Sequence, residues 1–227
     1  MIRDPHAHGR LVQAGGAPLS RARLAVVMLH GRGGSPEDML GLAGHLGLPD
    51  IAFVAPEAAG RSWWPQSFLA PLSENEPGLS SGLRLIGRAV DMLGSEGIGP
   101  ERTMIMGFSQ GACLALEYTA RNGKGLYAAA GLSGGLVGTG EDPGPAQDAL
   151  YGYRPKQFDY DTRFSGTKIF IGCHERDPHI PLARVRTSQE VFAKMGAEIS
   201  VQIYPGAGHG IVDDEIKVLR GLLNGPS

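Results

Sequence analysis

Short, uninterrupted apolar runs recur along this chain, and helix-patterned stretches lie between most of them. The runs are "RLAVVMLH", "IAFVAP", "RTMIMGF", "YAAAGLS", "TKIFIGC" and "AEISVQIYP". Continuous apolar runs of this length suit strands of a parallel sheet covered on both faces. Leu83, Ile86, Val90 and Leu93 mark one face of a helix that Ser80 or Ser81 should cap. Leu182, Val185, Phe192 and Met195 mark a second helix, ended by Gly196, and Val212, Ile216, Leu219 and Leu223 mark a last one. Strand–helix alternation along the whole length predicts an α/β fold with a mostly parallel central sheet and helices on both faces. The chain is read as one domain over residues 1–227.

Two stretches interrupt the rhythm, at about 57–82 and 138–166. Both follow strand ends, where open α/β sheets place their ligands, so both are expected to be substrate-site loops. The first carries Trp63, Trp64 and Phe68, which are expected to line the substrate pocket because aromatic bodies supply apolar area at low entropy cost.

Charge and composition narrow the function. The net charge is −2 and no Lys/Arg cluster occurs, so no nucleic-acid partner is expected. "LAVVML" is too short to cross a bilayer and "MIRDPHAHGR" lacks the apolar core of a signal peptide, so no membrane insertion and a cytoplasmic location are expected. Cys113 and Cys173 sit in apolar contexts and read as small buried side chains. His6 and His8 form an H-x-H pair without further ligands at useful spacing, so no metal is expected.

The chemistry concentrates in "RTMIMGFSQGACLALEYTAR". An apolar strand runs into Gly107, Ser109 follows on a tight turn, and a helix starts after Gly111. This is the strand–turn–helix setting of a nucleophile elbow. Side chains at positions 107 and 111 would collide with strand and helix, and glycine removes them. A serine hydroxyl also needs a base, and the base an orienting acid. Asp177 follows the strand "KIFIGC", and His209 follows the strand "ISVQIYP". Both therefore lie at the same end of a parallel sheet as Ser109. Glu175, Asp159 and Asp161 are the rival acids, and His174 and His179 read as loop or pocket histidines.

The backbone N–H of Gln110, at the helix N-terminus, is the first expected oxyanion donor. The second is the N–H of Arg32 in "LHGRGGSPEDM", whose Ser35 and Pro36 open a helix. The Arg32 side chain is left either solvated or facing a substrate carboxylate, and His30 is read as a brace for this loop.

With "LHGRGG", "GFSQGA", "DPHIP" and "GAGHGI" in that order, the sequence resembles the phospholipase/carboxylesterase family of α/β-hydrolases. Its aromatic loop resembles that of a bacterial branch of the family. The resemblance implies a minimal α/β-hydrolase fold, a Ser109–Asp177–His209 triad with donors from Arg32 and Gln110, and neither metal nor organic cofactor. A homodimer is compatible with it. The expected activity is serine carboxylesterase hydrolysis of a small-molecule ester with a small acyl or aromatic group. The alternative is a thioesterase or lysophospholipase using the same residues.

Overall fold

The computed structural model describes residues 4–142 and 152–224. Its centre is a seven-stranded sheet built from β1 (Leu11–Gly16), β2 (Leu24–Leu29), β3 (Ile51–Pro56), β4 (Thr103–Phe108), β5 (Ala128–Leu132), β8 (Lys168–Arg176) and β9 (Glu198–Ala207). The spatial order is β1-β3-β2-β4-β5-β8-β9. All pairs are parallel except β1 with β3. Two short strands, β6 (Gly140–Glu141) and β7 (Lys156–Gln157), pair with each other apart from the main sheet.

The helices are α1 (Pro36–Leu46), α2 (Leu72–Asn75), α3 (Gly78–Ser95), α4 (Gln110–Asn122), α5 (Leu182–Lys194) and α6 (Asp213–Asn224). Strand β2 shows why its run is apolar throughout. Ala25, Val27 and Leu29 join the core layer of α3, α4 and α5, whereas Leu24, Val26 and Met28 join that of α1 and α6. Each fully buried Leu or Val contributes roughly 1.5–3 kcal/mol. The α/β fold with helices on both faces is thus the observed one.

Local signals set most boundaries. The Ser35 hydroxyl accepts the Asp38 N–H while the Asp38 carboxylate accepts the Ser35 N–H, a capping box with Pro36 in the first turn. The helix ends at Gly47 with φ 64°. Gly196, at φ 89°, follows α5 as its pattern predicts.

Three expectations need correction. Helix α3 is capped by neither Ser80 nor Ser81, since it begins earlier, at Gly78 after Pro77. Ser81 is buried, accepts the His6 N–H and donates to the Asp4 carboxylate, so it tethers the N-terminal segment instead. Pro77 holds the cap position, and the Glu76 carboxylate before it accepts the N–H and O–H of Ser80 at 3.1 and 2.7 Å. The 57–82 loop is correspondingly shorter, broken by α2 and the start of α3. In the 138–166 stretch, β6 and β7 replace part of the expected loop, and residues 143–151 lie outside the described residues.

Candidate active site

The turn between β4 and α4 carries Ser109 at φ 55°, ψ −119°, a conformation that L-residues rarely adopt. A Cβ at Gly107 would run into the Gly111 carbonyl and approach the Ala112 nitrogen to 2.8 Å. A Cβ at Gly111 would run into the carbonyls of Leu29 and His30 at the end of β2. Backbone hydrogen bonds pin the turn: Ser109 N–H to Leu132 at 2.9 Å and Cys113 N–H to Ser109 at 3.0 Å.

His209 reaches this turn from the loop between β9 and α6, with Nε2 2.8 Å from Ser109 Oγ. Its Nδ1 lies 2.8 and 3.0 Å from the two carboxylate oxygens of Asp177. An ionised carboxylate only accepts, so Nδ1 carries the proton and Nε2 presents its lone pair to the serine hydroxyl. Asp177 Oδ1 also accepts the N–H groups of His179 and Ile180 at 2.9 and 3.0 Å. Burial works to raise the Asp177 pKa, but the bonds from His209 and these two amides outweigh it and leave the carboxyl below its ordinary value. Glu175, Asp159 and Asp161 are exposed, whereas Asp177 is buried.

The remaining histidines have distinct surroundings. His179 stands edge-to-face against His209, with ring centroids 4.7 Å apart. The His174 ring packs beneath Gly208, one residue from His209. His30 is buried and accepts the Ala58 N–H on Nε2, so its Nδ1 donates to the Gly31 carbonyl. It braces the loop as expected, and burial holds its pKa below the ordinary imidazole value. Both nitrogens of His6 are engaged by backbone, at Trp63 O and Ala59 N, which leaves no lone pair for a metal.

Among the described residues, the N–H groups of Arg32 and Gln110 donate to no protein acceptor. Both residues line a cavity of about 510 Å³ with Ser109 and His209. Trp64, Pro65, Phe68, Phe108, Cys113 and Ile180 form its apolar wall. Trp64 and Phe68 line this cavity. Trp63 does not: it is fully buried in the core, its ring packs against His6 and His30, and its Nε1 donates to the His30 carbonyl at 2.8 Å. The two neighbouring tryptophans thus meet different surroundings, and only Trp64 lines the cavity.

Two side-chain roles were not legible in the sequence. The Gln110 carboxamide accepts the Trp63 N–H at 2.9 Å and donates to the Trp64 carbonyl at 2.8 Å. The Arg32 guanidinium donates to the carbonyls of Pro65 at 2.7 Å and Gln66 at 2.6 Å, so it is tied to the loop although the residue is exposed. Both residues thereby clamp the aromatic loop with their side chains. Phe108 and Ile180 were also missed as wall residues; their adjacency to Ser109 and Asp177 in sequence was the available signal.

Comparison with known proteins identifies the family of the chain. The family model described as Phospholipase/Carboxylesterase matches residues 16–147. The chain belongs to the phospholipase/carboxylesterase family. It is a hydrolase with the α/β-hydrolase fold. The crystal structure of a phospholipase/carboxylesterase from Dyadobacter fermentans is 39% identical, covers 93% of this chain and 94% of its own, and superposes with a TM-score of 0.81. Acyl-protein thioesterase 1 of Saccharomyces cerevisiae is 27% identical over 91% of this chain and 94% of its own length. Acyl-protein thioesterase 1 of Gibberella zeae is 30% identical over 56% of this chain, a match spanning only 49% of that protein. In this phospholipase/carboxylesterase chain the family match takes in Arg32, the aromatic loop and Ser109, while Asp177 and His209 lie beyond it. Among the described residues, no helix is long and apolar enough to cross a membrane.

Proposed function

We propose that this hydrolase is a serine carboxylesterase that cleaves small acyl or aromatic carboxylic esters through an acyl-enzyme. The observation that carries the reading is the unbroken hydrogen-bond chain from Ser109 Oγ through His209 to Asp177 beside an apolar-walled cavity. In this reading His209 Nε2 takes the hydroxyl proton as Ser109 Oγ attacks the ester carbonyl. The oxyanion is received by the N–H groups of Arg32 and Gln110. His209 passes its proton to the departing alcohol. It then activates the water that releases the acid and frees Ser109. Asp177 keeps the imidazole in the required tautomer and stabilises its charged form.

A second reading is a thioesterase using the same residues, supported by the names of the two acyl-protein thioesterase relatives. A panel of 4-nitrophenyl esters of increasing acyl length, set beside matched acyl thioesters, separates the two by kcat/KM. The esterase reading requires the maximum to fall on short-chain or aromatic esters. A fluorophosphonate probe should label Ser109. Ser109→Ala should lower kcat by on the order of 10⁴-fold or more; near-wild-type turnover in that variant overturns both readings.

A further inference from the structure

Arg32 differs from the other cavity residues in carrying a charge with no counter-charge among the described residues. Its guanidinium donates to uncharged acceptors: Nη1 to the Pro65 carbonyl and the Ser62 hydroxyl, and Nη2 to the Gln66 carbonyl. Of the five guanidinium N–H groups, the Nε–H and one hydrogen on Nη2 make no bond among the described residues. Adjacent guanidinium donors of this kind can grip two oxygens of one anion. Among the described residues that line the cavity there is no aspartate or glutamate. Partial burial pulls the Arg32 pKa down, and no neighbouring carboxylate acts against it. The three existing bonds hold the guanidinium in place, so little side-chain freedom is lost when a ligand binds it. The imidazole of His179 lines the same cavity and adds no negative charge.

We propose that the ester substrate carries an anionic group, a carboxylate or a phosphate, that docks on the unoccupied donors of Arg32 while its carbonyl lies at Ser109. This rests on the reading of Ser109 as the nucleophile and narrows the substrate class within it. A cation held at the exposed edge of the cavity, with no carboxylate beside it among the described residues, attracts anions over cations and over neutral analogues of the same shape.

The test compares charged esters with neutral twins. The pairs are 4-acetoxybenzoate with its methyl ester, 4-nitrophenyl hemisuccinate with its methyl ester, and 4-acetoxyphenyl phosphate with its dimethyl ester. In at least one pair the charged member should show a KM about tenfold lower, the size expected of a charge-assisted hydrogen bond. Arg32→Gln should erase that ratio, Arg32→Lys should keep part of it, and high salt should shrink it. The ratio within a pair is the readout, so a general loss of activity in Arg32→Gln does not enter it. If Arg32→Gln does not fold, the wild-type ratios and Arg32→Lys carry the test. Equal or better KM for the neutral member of every pair, or a ratio that survives in Arg32→Gln, overturns the proposal. Fluorophosphonate labelling in the same preparations separates the two levels. Labelling of Ser109 without any preference for charge overturns the anion site alone, and absence of labelling overturns the nucleophile beneath it.

Discussion

At the scale of single residues, the Ser109 turn depends on two missing side chains. Gly111→Ala would push a methyl group into the carbonyls of Leu29 and His30, which are backbone and cannot swing aside. The expected result is a lower melting temperature and at least about a hundredfold loss of ester turnover, because a displacement of about 1 Å at a reacting group has that cost. Gly87, within α3, is the control: nothing lies within 4 Å of its would-be Cβ. Gly87→Ala should stabilise the protein by about 0.5–1 kcal/mol without changing turnover. Thermal melts and ester assays on the pair check both statements, and equal behaviour of the two variants would contradict the steric account. Gly107 was legible in sequence because its constraint is local, set by the Gly111 carbonyl four residues on, whereas Gly111 was legible only through the elbow motif, since the carbonyls that confine it belong to a strand end far away in the chain. The clamp made by the Gln110 carboxamide was not, since its partners Trp63 and Trp64 are remote in the chain.

At the scale of elements, the aromatic loop is fastened at several points. Besides Arg32 and Gln110, the Asn75 carboxamide accepts the Gln66 N–H and donates to the Ser67 carbonyl, at 2.9 and 2.8 Å. Lys156 of β7 donates to the Ala70 carbonyl, while Glu141 of β6 accepts the Leu72 N–H. The short β6–β7 pair thus holds the far end of the loop that lines the cavity. The two tryptophans should then separate by assay. Trp63→Phe removes the hydrogen bond to the His30 carbonyl and should cost about 1 kcal/mol of stability while leaving acyl-chain preference alone. Trp64→Ala removes part of the cavity wall and should change the ranking of ester substrates. Denaturant melts and an acyl-length series on both variants measure this; an unchanged ranking in Trp64→Ala would count against its place in the pocket. Sequence reading treated the two as alike because identical neighbouring residues carry no signal of which side each will face.

At the scale of the molecule, a buried acid links the last helix to the sheet. Glu215 of α6 is 1% exposed, and its carboxyl packs against Gly172 of β8 and accepts the Val212 N–H at 2.9 Å. Burial pushes its pKa from the ordinary 4.5 up to about 7. Between those two values the folded protein keeps a proton that the unfolded chain has lost. Its contribution to stability therefore falls as pH rises through that window and levels off above it, by at most about 3 kcal/mol. Glu215→Gln keeps an acceptor for Val212 and cannot ionise. Its melting temperature relative to wild type should climb between about pH 5 and about pH 8. A constant offset across that range would rule the titration out. The sequence by itself determined the parallel core of the sheet, the Ser109 turn, and the chain order that delivers Asp177 and His209 to one end of the sheet. Periodicity and turn sterics are written within a few residues, and parallel strands then align their ends. Tertiary structure alone decided the rest. It paired the exposed, glycine-ended β1 antiparallel at the sheet edge, buried Trp63 beside a cavity-facing Trp64, and turned the side chains of Arg32 and Gln110 onto a distant loop. Each of these depends on which surface arrives from elsewhere in the chain to cover a residue, and no local pattern encodes that.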